Sequence, residues 1–224
     1  MASTSLVQAG GVRTGTLLIA CVTEHGSAAH PYFGSEALLG GPEASRNLAD
    51  AIHFLCALHG RQPGLIELAA TRTADPVAAA WLADAGEAMA AQRLFLTRLA
   101  VAAGPVPGTP GGAGSVTAVI GQRGALATLA LSDRKGCALG AALAFAADWE
   151  PIQGQVLEAA AERLGVDVPS AGLGSADALR GLADAAAAAA PIERAMLFGA
   201  QQLSLQHLGL WDLLEARYQA RSAA

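Results

Sequence analysis

Between Gly114 and Pro151 small residues recur every three or four positions, at Gly121, Ala125, Thr128, Ser132, Gly136, Gly140, Ala144 and Ala147. On an α-helix these positions fall on one narrow stripe. Large apolar residues run beside it, among them Val119, Leu126, Leu139, Leu143 and Phe145, so the stretch has a smooth side for close backbone contact and a bulky side for a core. A glycine inside a helix costs about 0.5–1 kcal/mol against alanine. The alignment of Gly136 with Gly140 therefore points to a close helix crossing, and the stretch reads as a central helix or a kinked pair. It is not a membrane span, because Ser132-Asp133-Arg134-Lys135 divides it into runs shorter than the roughly 18–20 apolar residues a span needs.

What packs around that element follows from composition. Roughly a quarter of the 224 residues are alanine, the strongest helix former, and no linker separates two periodic regions. The fold class expected is all-α: an irregular antiparallel bundle of about seven or eight helices, forming a single domain over residues 1–224. The mean hydropathy of +0.38 comes from the alanine, since charged residues interrupt every long apolar run. Residues 1–34 are expected to be partly irregular, with the apolar run Leu17–Val22 as a short helix. Arg13 is the only basic residue before that run, so no signal peptide is expected, and a cytoplasmic location follows as the working expectation.

Helix ends are well marked. Pro42 and Glu43 start a helix that stops at Gly60, and a short one covers Leu65–Ala70. Asp75-Pro76 starts the long helix that reaches Gly104. The proline- and glycine-rich segment 105–113 propagates neither helix nor strand and reads as a surface crossover loop. Asp148-Trp149-Glu150-Pro151 reads as a fresh helix start, Ser175 as the N-cap of the next helix, and Pro191 as the first turn of the last.

Candidate chemistry is sparse. A net charge of −5 with scattered arginines gives no basic field for nucleic acid, and an aromatic content of 4% leaves few stacking platforms. Cys21, Cys56 and Cys137 are odd in number and sit in apolar runs, which suits reduced core thiols. No HExxH, Glu-x-x-His, P-loop or Gly-x-Ser-x-Gly pattern occurs, so no metal site and no named cofactor are expected. Only tertiary proximity could join His30, His53 and His207 into a mononuclear site. Two function classes remain. The first is a non-enzymatic binding or self-association module, a homodimer formed through the alanine-rich faces of 75–104 and 191–221. The second is an enzyme or cofactor binder with a pocket between helices, on a ferritin-like or haem-oxygenase-like architecture. A small-molecule pocket would be lined by His30, Tyr32, His53, Asp133, Arg134, Trp149 and His207, which are polar or amphipathic groups at loops and helix ends beside apolar surface. His207 is the one placed on an inward stripe, with Leu203, Leu210 and Leu214.

Overall fold

The computed structural model describes residues 13–223, so residues 1–12 of the segment expected to be partly irregular lie outside the described residues. Among the described residues there is no strand, and the expected all-α bundle is what forms. Its helices are α1 (Thr14–His25), α2 (Glu36–Leu39), α3 (Ala44–His59), α4 (Leu65–Ala70), α5 (Pro76–Ala103), α6 (Gly112–Ala130), α7 (Cys137–Pro151), α8 (Glu158–Leu164), α9 (Ala176–Ala186) and α10 (Ala190–Ser222). No helix among the described residues is long and apolar enough to cross a membrane.

The helix ends form where local chemistry supplies them. Asp75 accepts from Ala78 N at 2.8 Å with Pro76 behind it, and Ser175 accepts from Ala178 N at 3.3 Å, so both N-caps read from sequence satisfy otherwise orphaned amides. Leu17–Val22 is the middle of α1, whose apolar side is held by close packing of Gly15 against the backbone of Arg180 in α9.

The central stretch divides unequally. From Cys137 to Ala146 every residue of α7 is buried, whereas α6 buries only Val119, Leu126 and Ala130. The break between them is the segment 131–136, which ends on Gly136 at φ 93°, a left-handed backbone that favours glycine. Ser132 does not cap α7: its hydroxyl accepts from Arg134 N at 3.3 Å, within the turn. The smooth stripe meets its partner at Gly140, where an added Cβ would lie 2.5 Å from Met196 Cα and 2.6 Å from its carbonyl carbon. Gly199 answers from α10, and a Cβ there would lie 3.0 Å from Ala141 N. Two backbones thus touch across the crossing of α7 and α10.

The expected helix start at Asp148–Pro151 is corrected. The chain runs unbroken through Pro151 into a π-helical turn, Ile152–Leu157, and on into α8. Proline has no N–H to give to Ala147, and its ring crowds that carbonyl. The next turn widens to i→i+5 bonding instead of ending the helix. Around this rod the core is closed by Trp149, Trp211, Phe33 and Phe145, with Phe33 edge-on to Trp211 at 4.8 Å.

Candidate functional site

Two features stand apart from simple apolar packing: a buried polar centre, and a cleft that adjoins it at Asp148. The centre is built on Asp148, which is buried. Its carboxylate accepts from Ser27 N at 2.8 Å, from Ser27 Oγ at 2.6 Å and from His207 Nδ1 at 2.6 Å. A carboxylate only accepts, so Nδ1 of His207 carries the proton and Nε2 is left without a partner. The ring of His59 lies 5.0 Å from that of His207 and 5.7 Å from that of Trp149, and its Nε2 is also unpartnered, as is Trp149 Nε1. Burial, and then the nearness of His207 and Arg93, hold the His59 imidazole well below its ordinary range, so it is neutral at pH 7.

Ser, Asp and His in contact invite comparison with a nucleophilic triad, but the wiring differs. In a triad the serine hydroxyl bonds to the imidazole nitrogen remote from the acid. Here Ser27 Oγ donates to Asp148 itself, and His207 is buried away from solvent. The centre is an internal brace that ties the 3₁₀ turn Ser27–Ala29, α7 and α10 together.

The cleft lies on the outer side of the same rod. One lobe, about 620 Å³, is enclosed by Ile19, Val22 and Thr23 of α1, by Ala147, Asp148, Glu150 and Pro151 of α7, and by Leu179 and Arg180 of α9. A second lobe of about 420 Å³ runs over the π turn past Trp149, Glu150, Gln153, Gly154 and Glu158, and the two lobes share Glu150, Gly174 and Ser175. Its roof is the loop 166–175. Gln92 Nε2 donates to Ala171 O at 2.6 Å and to Gln153 Oε1 at 2.7 Å, and Trp81 Nε1 donates to Leu173 O at 3.3 Å. No basic side chain lines the second lobe, whose charges are Glu150 and Glu158.

The residues named from sequence fall in four places. Trp149 and His207 both pack on His59 in the buried centre, and Trp149 also edges the second lobe. His30 Nε2 bonds to Asp212 at 3.1 Å, while its Nδ1 accepts from Tyr32 N, beside α10. His53 bonds to Gly104 O at 2.8 Å. Asp133 pairs with Arg72 at 2.8 Å, and Arg134 lies 5.2 Å over the Phe198 ring at the α6–α7 junction. His30, His53 and His207 thus have separate partners, and among the described residues no group of three or more His, Cys, Asp or Glu is placed to hold a metal ion. Sequence reasoning missed His59, whose spacing of four from Leu55 and seven from Ile52 puts it on the buried stripe of α3. It also missed Ser27, which carries no periodic signal.

A further buried network joins the ends of the fold. Asp50 accepts from Arg217 at 2.7 Å and Arg221 at 2.5 Å. Arg221 continues to Thr109 at 2.7 Å and Asn47 at 2.5 Å, and Arg217 stacks 4.9 Å over Phe54. These arginines lock α10 onto α3 and the crossover loop.

By sequence the chain belongs to a family of unknown function, DUF6975, whose model matches residues 22–222. No curated protein and no solved structure matches it.

Proposed function

We propose that this member of the family is a binding protein for a small amphipathic molecule, held in the cleft over the π turn with an apolar body in the first lobe and an amine in the second. The observation that carries the reading is the lining of the cleft. Ile19, Val22, Ala147 and Leu179 supply apolar walls, and Glu150 and Glu158 are the only charges in the second lobe. An acidic lobe with no basic side chain favours a cation. The volumes fall in the range of small-molecule sites, which bundles place between helices. π turns inserted in α-helices recur at functional sites, and here the turn floors the second lobe.

Thermal-shift titration with alkylamines and arylalkylamines, beside the matched alcohols and carboxylates, tests the reading. Amines are expected to raise the melting temperature, the alcohols less and the carboxylates not at all. Gly154, where an added side chain meets open space, gives the blocking variant: Gly154→Trp fills the second lobe and abolishes the shift. Equal shifts from amines and carboxylates, or none from either, would reject the proposal.

A further inference from the structure

A second surface, on the other side of the bundle, carries a separate inference. Helices α6 and α10 lie side by side and antiparallel: Gly112 faces Arg217, Gln122 Nε2 donates to Gln206 O at 3.1 Å, and Ser132 and Phe198 border one groove of about 360 Å³. Their outward faces are almost free of charge. Residues 112–131 contain only Arg123, which turns inward to donate to Ala57 O at 3.1 Å, and residues 195–211 contain no Asp, Glu, Lys or Arg, in a chain with 15% charged residues; charge returns at the ends of the strip, with Arg134 over the Phe198 ring and the exposed Asp212. Instead the surface exposes large apolar side chains: Val116 (44%), Ile120 (49%), Phe198 (41%) and Leu205 (46%).

Between these bulky flanks the crest of α6 is smooth. Gly114, Gly121 and Gly124 have nothing within 4 Å of an added Cβ, in contrast to Gly140 and Gly199, which are closed against each other's helices. The crest is thus an unused copy of the device that joins α7 to α10. We infer that it is used between molecules: the outer face of α6 and α10 is the docking surface for a second copy of this chain, with the two α6 crests crossing at Gly121 about a two-fold axis.

Charge and area select that occupant. A strip that is apolar along its middle and charged only at its ends is matched by a surface of the same kind, and a two-fold mate supplies one with bulky flanks ready for the crest. A lipid surface would call for a ring of basic residues around the apolar face, whereas Arg123 points inward and Arg134 sits at one end of it, over Phe198. At 1.5 Å per residue the 19-residue α6 is about 28 Å long. Two helices packed side by side present a strip about 20 Å wide. Each copy then offers roughly 560 Å² and a pair roughly 1,100 Å², which clears the ~1,000 Å² of a specific interface. The assignment differs from the face of α5 that composition suggested, because the outer side of α5 exposes Asp84, Glu87 and Arg98.

The test is the mass of the whole chain by light scattering between about 1 and 200 µM. The parent is expected to approach a dimer. Gly121→Glu and Phe198→Glu, at exposed positions where the monomer has room, should each raise the dimer dissociation constant at least tenfold with unchanged helical circular dichroism. Gly121→Cys should form a disulfide-linked dimer on mild oxidation, whereas Ala80→Cys, on the exposed side of α5, should not. A parent that stays monomeric overturns the inference. So does a dimer indifferent to both charges, or one that crosslinks through residue 80 and not through residue 121.

Discussion

Replacing Gly140 is the sharpest probe of how this bundle is held together. An alanine Cβ there would sit 2.5 Å from Met196 Cα and 2.6 Å from its carbonyl carbon, whereas ordinary contact begins near 3.4 Å. The neighbour is backbone on a 33-residue helix, so no side chain can swing aside and the two helices must part by about 1 Å. A gap of that size forfeits a quarter to a half of the dispersion well along the seam. Overpacking of this kind costs about 1–3 kcal/mol, and the better helix propensity of the new residue offsets up to about 1 kcal/mol of it. Gly140→Ala should therefore lose about 1–2 kcal/mol and Gly140→Leu about 3 kcal/mol or more. At about 2–4 °C per kcal/mol for a chain of this size, the leucine variant should melt roughly 6–12 °C below the parent. Gly181, exposed on α9 with nothing within 4 Å of an added Cβ, is the control: Gly181→Ala should melt at or up to about 4 °C above the parent. Scanning calorimetry at one protein concentration reads both. If Gly140→Leu melts at or above the parent temperature, α7 and α10 do not meet there, and the account of the core fails with it.

Two further outcomes follow from the buried charges. His59 is held neutral in the fold and binds a proton readily when unfolded, so the unfolded state takes up more protons below about pH 6.5. Its contribution to stability is complete above that pH and is lost as pH falls, with a slope approaching about 1.4 kcal/mol per pH unit. Denaturant melts at pH 7.5, 6.5 and 5.5 should be less steep in pH for His59→Phe than for the parent, and equal slopes would remove this role. Asp50→Asn leaves Arg217 and Arg221 buried without their counter-charge. A loss of about 3–5 kcal/mol is expected, and a urea midpoint within error of the parent would mean the arginines have found another anion.

Much of the bundle can be read from local signals. Asp75-Pro76, Ser175 and Gly104 bound their helices because caps act within a few residues of chain. The bias of Gly136 and Gly140 toward a crossing follows from the same short-range pattern. What is not legible is which half of that pattern faces inward. The stripes of α6 and α7 have like composition, yet Gly121 meets open space and Gly140 meets Met196, because the turn at Gly136 swings one helix to the rim. The brace on Asp148 was beyond reach for a different reason. Ser27 and His207 lie 121 and 59 residues from it, and hydrogen bonds between side chains that far apart leave no periodic trace. Pro151 misled because proline is common in the first turn of a new helix, and here a widened turn accommodates it inside a continuous one.

The network around Asp50 sets an order on how the molecule can be made. Its bonds to Arg217 and Arg221 span 167 and 171 residues, and residues Thr109 and Asn47 wait on the same guanidinium. During synthesis the acid on α3 must stay hydrated until the last turns of α10 have emerged, even though α3 already has α2, α5 and α6 to pack on. Closure is therefore a late, long-range event, of the kind that slows folding and lengthens the exposure of apolar surface. A nascent chain stalled before residue 217 would hold Asp50 on α3 without either of its arginines, a polar flaw in an otherwise packed early half.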